Sequence, residues 1–225
     1  MDFRVISIGA VSVHELWERQ GEARTPHATT TLIEAGGRRI LVDPGLPPQV
    51  EAARLSERAG LLPEDISDVF VTCFRPSHRA GLAAFANARW LIAEAERESV
   101  GVALLQAFED ESDEEGRDTL RREIAILKRF AAAEDKLAEG VDLFPLPGFT
   151  AGTCGLLLSE PTRTTLIAGD AVATREHLER GRVQRGAADV EQARESLREA
   201  IEIADVIVPG HDNVMLNPTR RSMGG

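Results

Sequence analysis

Asp68-Val69-Phe70-Val71-Thr72-Cys73-Phe74-Arg75-Pro76-Ser77-His78 is the stretch on which the reading of this chain turns. Val69, Phe70 and Val71 form a continuous apolar run, the pattern of a strand buried on both faces. The run ends at Thr72, and a polar loop carries the chain to His78. Just upstream, Pro63-Glu64-Asp65 opens a short turn. Its acidic residues stand where exposed N–H groups favour negative charge.

Working outward, Phe3 to Ile8 reads as a strand, and Val11 to Leu16 as a second. Ala28 to Glu34 and Arg39 to Val42 flank Gly36-Gly37, a hairpin signal. Asp43-Pro44-Gly45 then marks a turn, and Pro48 to Ala59 reads as a helix. Strand signals return at Val141 to Pro145, Thr153 to Leu158, Thr164 to Ala168 and Asp205 to Val208. Val190 to Ile203 reads as a helix with Asp189 as its N-cap.

Residues 94 to 139 read as a helical insertion, broken by acidic residues from Glu109 to Glu115. Leu120, Ile124, Leu127 and Phe130 recur at spacings of three and four, which gives one apolar face. The segment is a candidate lid or homodimer surface. Two blocks of strands, each trailed by helices, suit two packed sheets with helices outside, in one domain over residues 1–225.

Composition narrows the function classes. Hydrophobic residues make up 43% of the 225 residues and aromatic ones 4%, with no Tyr, so the core must rest on Leu, Ile, Val and Ala. The net charge of −11 and the lack of any Lys/Arg-rich run oppose nucleic-acid binding. No apolar run approaches the roughly 18 residues that span a bilayer, and no signal peptide is visible. A cytoplasmic protein with a small-molecule substrate or ligand is expected. Cys73 and Cys154 form no C-x-x-C pair, so neither a zinc knuckle nor a redox motif is present.

Chemistry is expected where strands end in polar or Gly/Pro residues, because loops converge there. Those ends are Asp43-Pro44-Gly45, Thr72 to His78, Pro147-Gly148-Phe149-Thr150, Gly169-Asp170 and Pro209-Gly210-His211. Of the five histidines, His78 and His211 stand in them. His14 and His177 have no supporting context in the sequence. His27, just before a strand, could touch substrate.

These segments resemble, in order, motifs of the metallo-β-lactamase superfamily, most closely its lactonase and glyoxalase II-type hydrolases. Ile40 to Gly45, Gly60 to Thr72, Pro147 to Gly152, Leu166 to Asp170 and Val208 to His211 carry the likeness. It implies an α/β fold, a four-layer αββα sandwich. It also implies a metal loop of the form T-H-x-H-x-D-H and a later P-G-H-T loop. Here Cys73, Arg75 and Ser77 replace the first two loop histidines and the Asp, and Phe149 replaces the histidine of the later loop. Asp43 matches a position that orients neighbouring ligands.

Sorted by metal, the replacements fall unevenly. The family's first metal would rest on Cys73, Arg75 and Phe149, and neither a guanidinium nor a phenyl ring offers a lone pair. The second keeps His78, Asp170 and His211. Two imidazoles and a carboxylate suit one divalent ion, zinc with an open position or iron in a facial triad. Cys73 could add a thiolate, and Ser77 could hold a water. In the alternative, Arg75 enters the vacated first site, pairs with Asp170 and excludes metal. Two functions follow. One is a mononuclear metallo-hydrolase of a small ester, lactone or thioester, with Asp170 and Arg75 as catalytic groups. The other is a catalytically inactive relative that serves as a binding or scaffold protein.

Overall fold

A computed structural model describes residues 1–17 and 22–219. Two six-stranded sheets lie face to face. The first runs β1 (Asp2–Ser7), β2 (Thr30–Ala35), β3 (Arg38–Val42), β4 (Asp68–Val71), β5 (Arg89–Ile92), β6 (Ala131–Ala132). The second runs β12 (Met215–Leu216), β11 (Val206–Pro209), β10 (Arg163–Gly169), β9 (Cys154–Glu160), β8 (Val141–Pro145), β7 (Lys136–Ala138). The helices are α1 (Pro48–Ala59), α2 (Pro76–Arg79), α3 (Glu94–Asp110), α4 (Glu114–Lys128), α5 (Arg175–Glu179) and α6 (Val190–Ile203).

Alternation along the strands explains the layering. Ile33, Ile40, Val42, Phe70 and Leu91 of the first sheet pack against Leu156, Leu158, Ile167 and Val208 of the second. Their sequence neighbours Leu32, Leu41, Val69, Val71 and Ile92 point the other way, onto Leu55 of α1 and Leu127 of α4. On the far side, Leu166, Ala168 and Ile207 meet Leu197 and Ala200 of α6. Three apolar interfaces therefore separate four layers, helix–sheet–sheet–helix. The central strands β4, β10 and β11 are apolar on both faces, so their runs read as continuous, whereas β1 at the sheet edge alternates.

Local signals set several elements. Gly36 and Gly37 take φ of 57° and 75°, which the two-residue β2–β3 turn requires and which side chains resist. Asp189 accepts from Gln192 N at 3.0 Å as the N-cap of α6. No described helix is long and apolar enough to cross a membrane.

Two expectations are corrected. Val11 to Leu16 is not a strand but bends and turns, preceded by an isolated Ala10–His27 bridge. β1 already pairs with β2 there, and the polar side chains of this loop bond across to residues 174–177 instead. The helical insertion ends at Lys128, not near 139, and residues 131–138 add β6 and β7, one to each sheet. Strand β5 and the short α5 carried no periodic signal long enough to read.

Beneath the Pro44–Leu46 turn, Glu51 of α1 is wholly buried, and Leu46 N donates to its Oε2 at 3.0 Å. Oε1 has no partner. Burial pushes this carboxyl up to about 7, only partly offset by the Leu46 bond. A folded-state value above the unfolded one favours the folded protein at low pH. That advantage is lost as pH rises through about 7. Glu51→Gln should therefore match wild-type stability near pH 4 and exceed it at pH 8, by up to about 3 kcal/mol in urea unfolding. Equal stabilities at pH 8 would contradict this.

Candidate metal centre

Strand ends from the two sheets meet at one point. β4 delivers Thr72 and Cys73, α2 delivers His78, β10 delivers Asp170, and β11 delivers His211. All of these side chains are buried. The approach of the strands is close enough to dictate residue type. Gly169 has φ +54°, and a Cβ there would lie 2.4 Å from Thr72 Oγ1. Only glycine permits that turn between β10 and Asp170.

Asp170 is the centre of the cluster. Its Oδ2 lies 3.1 Å from His78 Nε2, and its Oδ1 lies 2.9 Å from His211 Nε2. Apart from that contact, Oδ1 is buried and has no donor among the described residues. Cys73 Sγ is 4.0 Å from Oδ2. The donor atoms of Cys73, His78 and Asp170 all lie within 4.8 Å of one another, and His211 meets Asp170 from the other oxygen.

The far nitrogens of both imidazoles are committed. His78 Nδ1 lies 3.0 Å from Asp43 Oδ2. Asp43 also accepts from Thr72 N at 2.8 Å and Thr72 Oγ1 at 2.7 Å, which fixes its carboxylate. His211 Nδ1 is 2.9 Å from the His27 carbonyl oxygen. His78 Nδ1 also lies 3.2 Å from Thr72 Oγ1, whose own proton goes to Asp43, so every neighbour of the two Nδ1 atoms accepts and both carry protons. In the neutral rings both Nε2 lone pairs then face the Asp170 carboxylate. Lone pairs facing a carboxylate repel unless a cation or a proton lies between them. This is the arrangement in which outer partners orient metal-ligating histidines.

Electrostatics follow the same geometry. Burial alone would raise the Asp170 carboxyl, but His78 and His211 outweigh it and hold it well below the usual carboxylate range. Burial would lower His78, yet Cys73, Asp170 and Asp43 together push it well above its ordinary value. Burial takes the Cys73 thiol up to about 11, opposed by His78.

Other expected groups lie elsewhere. Arg75 is exposed and lies over the Phe149 ring, 4.6 Å from its centroid. Among the described residues it makes no ion pair with Asp170, so the reading in which Arg75 enters the site is corrected. Stacking on a buried ring holds its charge outside instead. Two residues that the resemblance sets at first-metal positions thus touch each other. Ser77 is half-buried, and its carbonyl, not its hydroxyl, makes the recorded bond, to Ala28 N. Cys154 is core. His27 serves through its backbone carbonyl.

Sequence reasoning missed the groups that brace the loops. Glu96, in the first turn of α3, is wholly buried. It accepts from Phe74 N at 2.9 Å, Thr150 Oγ1 at 2.6 Å and Gly152 N at 3.2 Å. Arg79 of α2 pairs with Glu123 of α4 and donates to the Phe74 carbonyl. The α3–α4 hairpin is therefore a buttress for the loop that carries His78. A first-turn glutamate looks like an ordinary solvated helix charge in sequence, so no signal marked it. His14 and His177, without context in sequence, join Glu15, Trp17, Thr174 and Glu176 in one cluster.

Glu96→Ala would strip the acceptor from two backbone N–H groups in these loops. It should cost about 2–5 kcal/mol in denaturant unfolding, with far-ultraviolet circular dichroism unchanged in the folded baseline. A loss below about 0.5 kcal/mol would show that the clamp is dispensable.

Comparison with known proteins bears on the family and the fold. The family model of the metallo-beta-lactamase superfamily matches residues 24–211. The chain matches no curated protein sequence. Among solved structures, it is similar to a B. thuringiensis AiiA mutant with N-decanoyl-L-homoserine bound at its active site. That match has TM-score 0.65 and 21% identity, over 93% of this chain and 92% of the other. AidC, a dizinc quorum-quenching lactonase, matches with TM-score 0.64 and 18% identity, over 78% and 67%. A Staphylococcus aureus protein described as a probable metal-dependent hydrolase matches with TM-score 0.69 and 15% identity, over 94% and 89%. At these identities the likeness to solved structures is one of fold, and the family match over residues 24–211 makes this chain a member of the metallo-β-lactamase superfamily.

Proposed function

We propose that His78, Asp170 and His211 hold a single divalent ion, zinc or iron, and that the protein hydrolyses a small ester, lactone or thioester. The observation that carries this reading is the paired commitment of both Nδ1 atoms. It leaves two Nε2 lone pairs and the donorless Asp170 Oδ1 converging in a buried place. A cation satisfies all three at once. The neighbour AidC is a dizinc lactonase, whereas this chain keeps donors for one ion. Cys73 stands beside them as a further soft donor once its thiol is deprotonated.

A divalent ion in such a site supplies Lewis acidity, lowering the pKa of water and polarising a carbonyl. The chain's own groups do the rest. Asp43 and the His27 carbonyl hold the two imidazoles in orientation. Asp170, kept ionised between the two imidazoles, supplies the anionic ligand. Arg75 has no acidic partner among the described residues and is left to attract negative charge developing on a substrate oxygen.

The second reading is an inactive binding or scaffold protein. One observation favours it. His78 is flanked by two carboxylates, so a doubly protonated ring closes the same triad without metal.

Turnover separates the two. With zinc or iron added, wild type should hydrolyse simple esters or lactones, and His78→Ala, Asp170→Ala and His211→Ala should each lose at least about 100-fold. Equal rates in wild type and the triple substitution would eliminate the hydrolase. The raised His78 value adds a pH signature. Its Nε2 proton must leave before a metal binds, so apparent affinity should climb with pH by about tenfold per unit below that value. A flat profile between pH 5 and 8 would contradict ligation by His78.

A further inference from the structure

The donors that stand nearest one another decide which ion the centre suits. Cys73, His78 and Asp170 each offer a ligating atom, and these atoms all lie within 4.8 Å of one another. His211 is not among them. It reaches Asp170 from the other carboxylate oxygen, and its ring centroid is 5.6 Å from that of His78. The sulfur is therefore knit more closely into the cluster than the second imidazole is.

Cys73 is held from both sides. Before it, Thr72 gives its N–H and its hydroxyl to Asp43. The Thr72 carbonyl accepts from Cys154 N at 3.0 Å, which ties the end of β4 to β9 of the other sheet. After it, Phe74 N donates to Glu96 at 2.9 Å. Between these anchors the Cys73 side chain is wholly buried, and its Sγ lies 4.0 Å from Asp170 Oδ2. A thiol is a weak donor, and at that distance it does little for the carboxylate.

The spacing suits a shared cation instead. Zinc bonds of about 2.3 Å to sulfur and about 2.0–2.2 Å to nitrogen and oxygen make tetrahedral edges of about 3.6 Å for S–O and about 3.4 Å for N–O. The separations here are 4.0 Å from Cys73 Sγ to Asp170 Oδ2 and 3.1 Å from His78 Nε2 to the same oxygen. Both lie within about half an ångström of those edges. His211 Nε2 faces the other oxygen of the same carboxylate at 2.9 Å and supplies the remaining donor.

We propose that the Cys73 thiolate is the fourth ligand of the ion held by His78, Asp170 and His211, and that it makes the centre select zinc over iron. The inference rests on the metal reading above, not on its hydrolase half, and concerns which ion is held and how tightly. As the sulfur–metal bond forms, the S–H bond breaks and its proton leaves to solvent, because a coordinating thiol is deprotonated. Thiolate ligation suits zinc, whereas the facial triad of iron(II) is built from two imidazoles and a carboxylate without sulfur. Four protein donors are also the count of a closed, tetrahedral zinc site.

Cobalt(II) reports sulfur ligation directly. Metal-free protein should be titrated with cobalt(II) while its absorption is read, and separate samples with zinc and, without oxygen, iron(II). Wild type should show a near-ultraviolet thiolate-to-cobalt charge-transfer band and the intense visible bands of a tetrahedral ion. Cys73→Ser should lose the charge-transfer band, and Cys154→Ser, which removes the only other cysteine, should keep it. Zinc affinity should fall at least about 100-fold in Cys73→Ser, and the preference for zinc over iron(II) should narrow by about tenfold. Wild type and Cys154→Ser alone locate the sulfur, so the test holds even where Cys73→Ser does not fold. Cobalt bound without the band, or equal zinc affinities in wild type and folded Cys73→Ser, would overturn the proposal and leave the three-residue metal site standing. A wild type that binds neither cobalt nor zinc would remove that site and the proposal with it.

Discussion

The Asp170 carboxylate sits between two imidazoles that arrive from different sheets. His78 follows β4 of the first sheet and His211 follows β11 of the second. Everything at this end of the sandwich is arranged around that joint. Gly169 lets β10 turn beside Thr72. Asp43, itself at φ +51°, ties Thr72 and His78 back to the end of β3. A buried carboxylate between buried rings is costly unless each charge and lone pair is answered, so its neighbours have little freedom to vary.

The same constraint bears on the residues that the resemblance sets at first-metal positions. Residues at the first-metal positions touch no part of the Asp170 joint except Cys73. Arg75 and Phe149 instead form a stacked pair, ring inside and guanidinium outside. That pair gives the two side chains a packing role. The α3–α4 hairpin then holds both altered loops through Glu96 and Glu123. Its work is bracing, and this accounts for a buried acid in the first turn of an otherwise solvated helix.

Much of the fold was legible in the sequence, because its signals are local. The β2–β3 glycines, the Asp189 cap and the apolar runs of β4, β10 and β11 each encode an element within a few residues. The helix α1 and the strand β8 begin and end where their sequence patterns do. What escaped was set by partners distant in sequence. Residues 131–138 become strands only because each sheet offers an edge, and two or three residues carry no period. Val11 to Leu16 has a strand-like pattern but no edge to join. His78, Asp170 and His211 were legible because each follows a strand that ends in a motif. The outward turn of Arg75, the clamp of Glu96 and the gathering of His14 and His177 depend on contacts across the fold, some more than 160 residues apart in the chain.

The central claim is that convergence of these donors serves a cation. Elemental analysis of protein purified without chelator, beside the His211→Ala variant, tests it most directly. The account predicts about one zinc or iron per chain in the wild type, with that metal gone from the variant. No metal in either, even after incubation with excess zinc, iron or manganese, would contradict it and leave a protonated His78–Asp170–His211 triad as a structural joint.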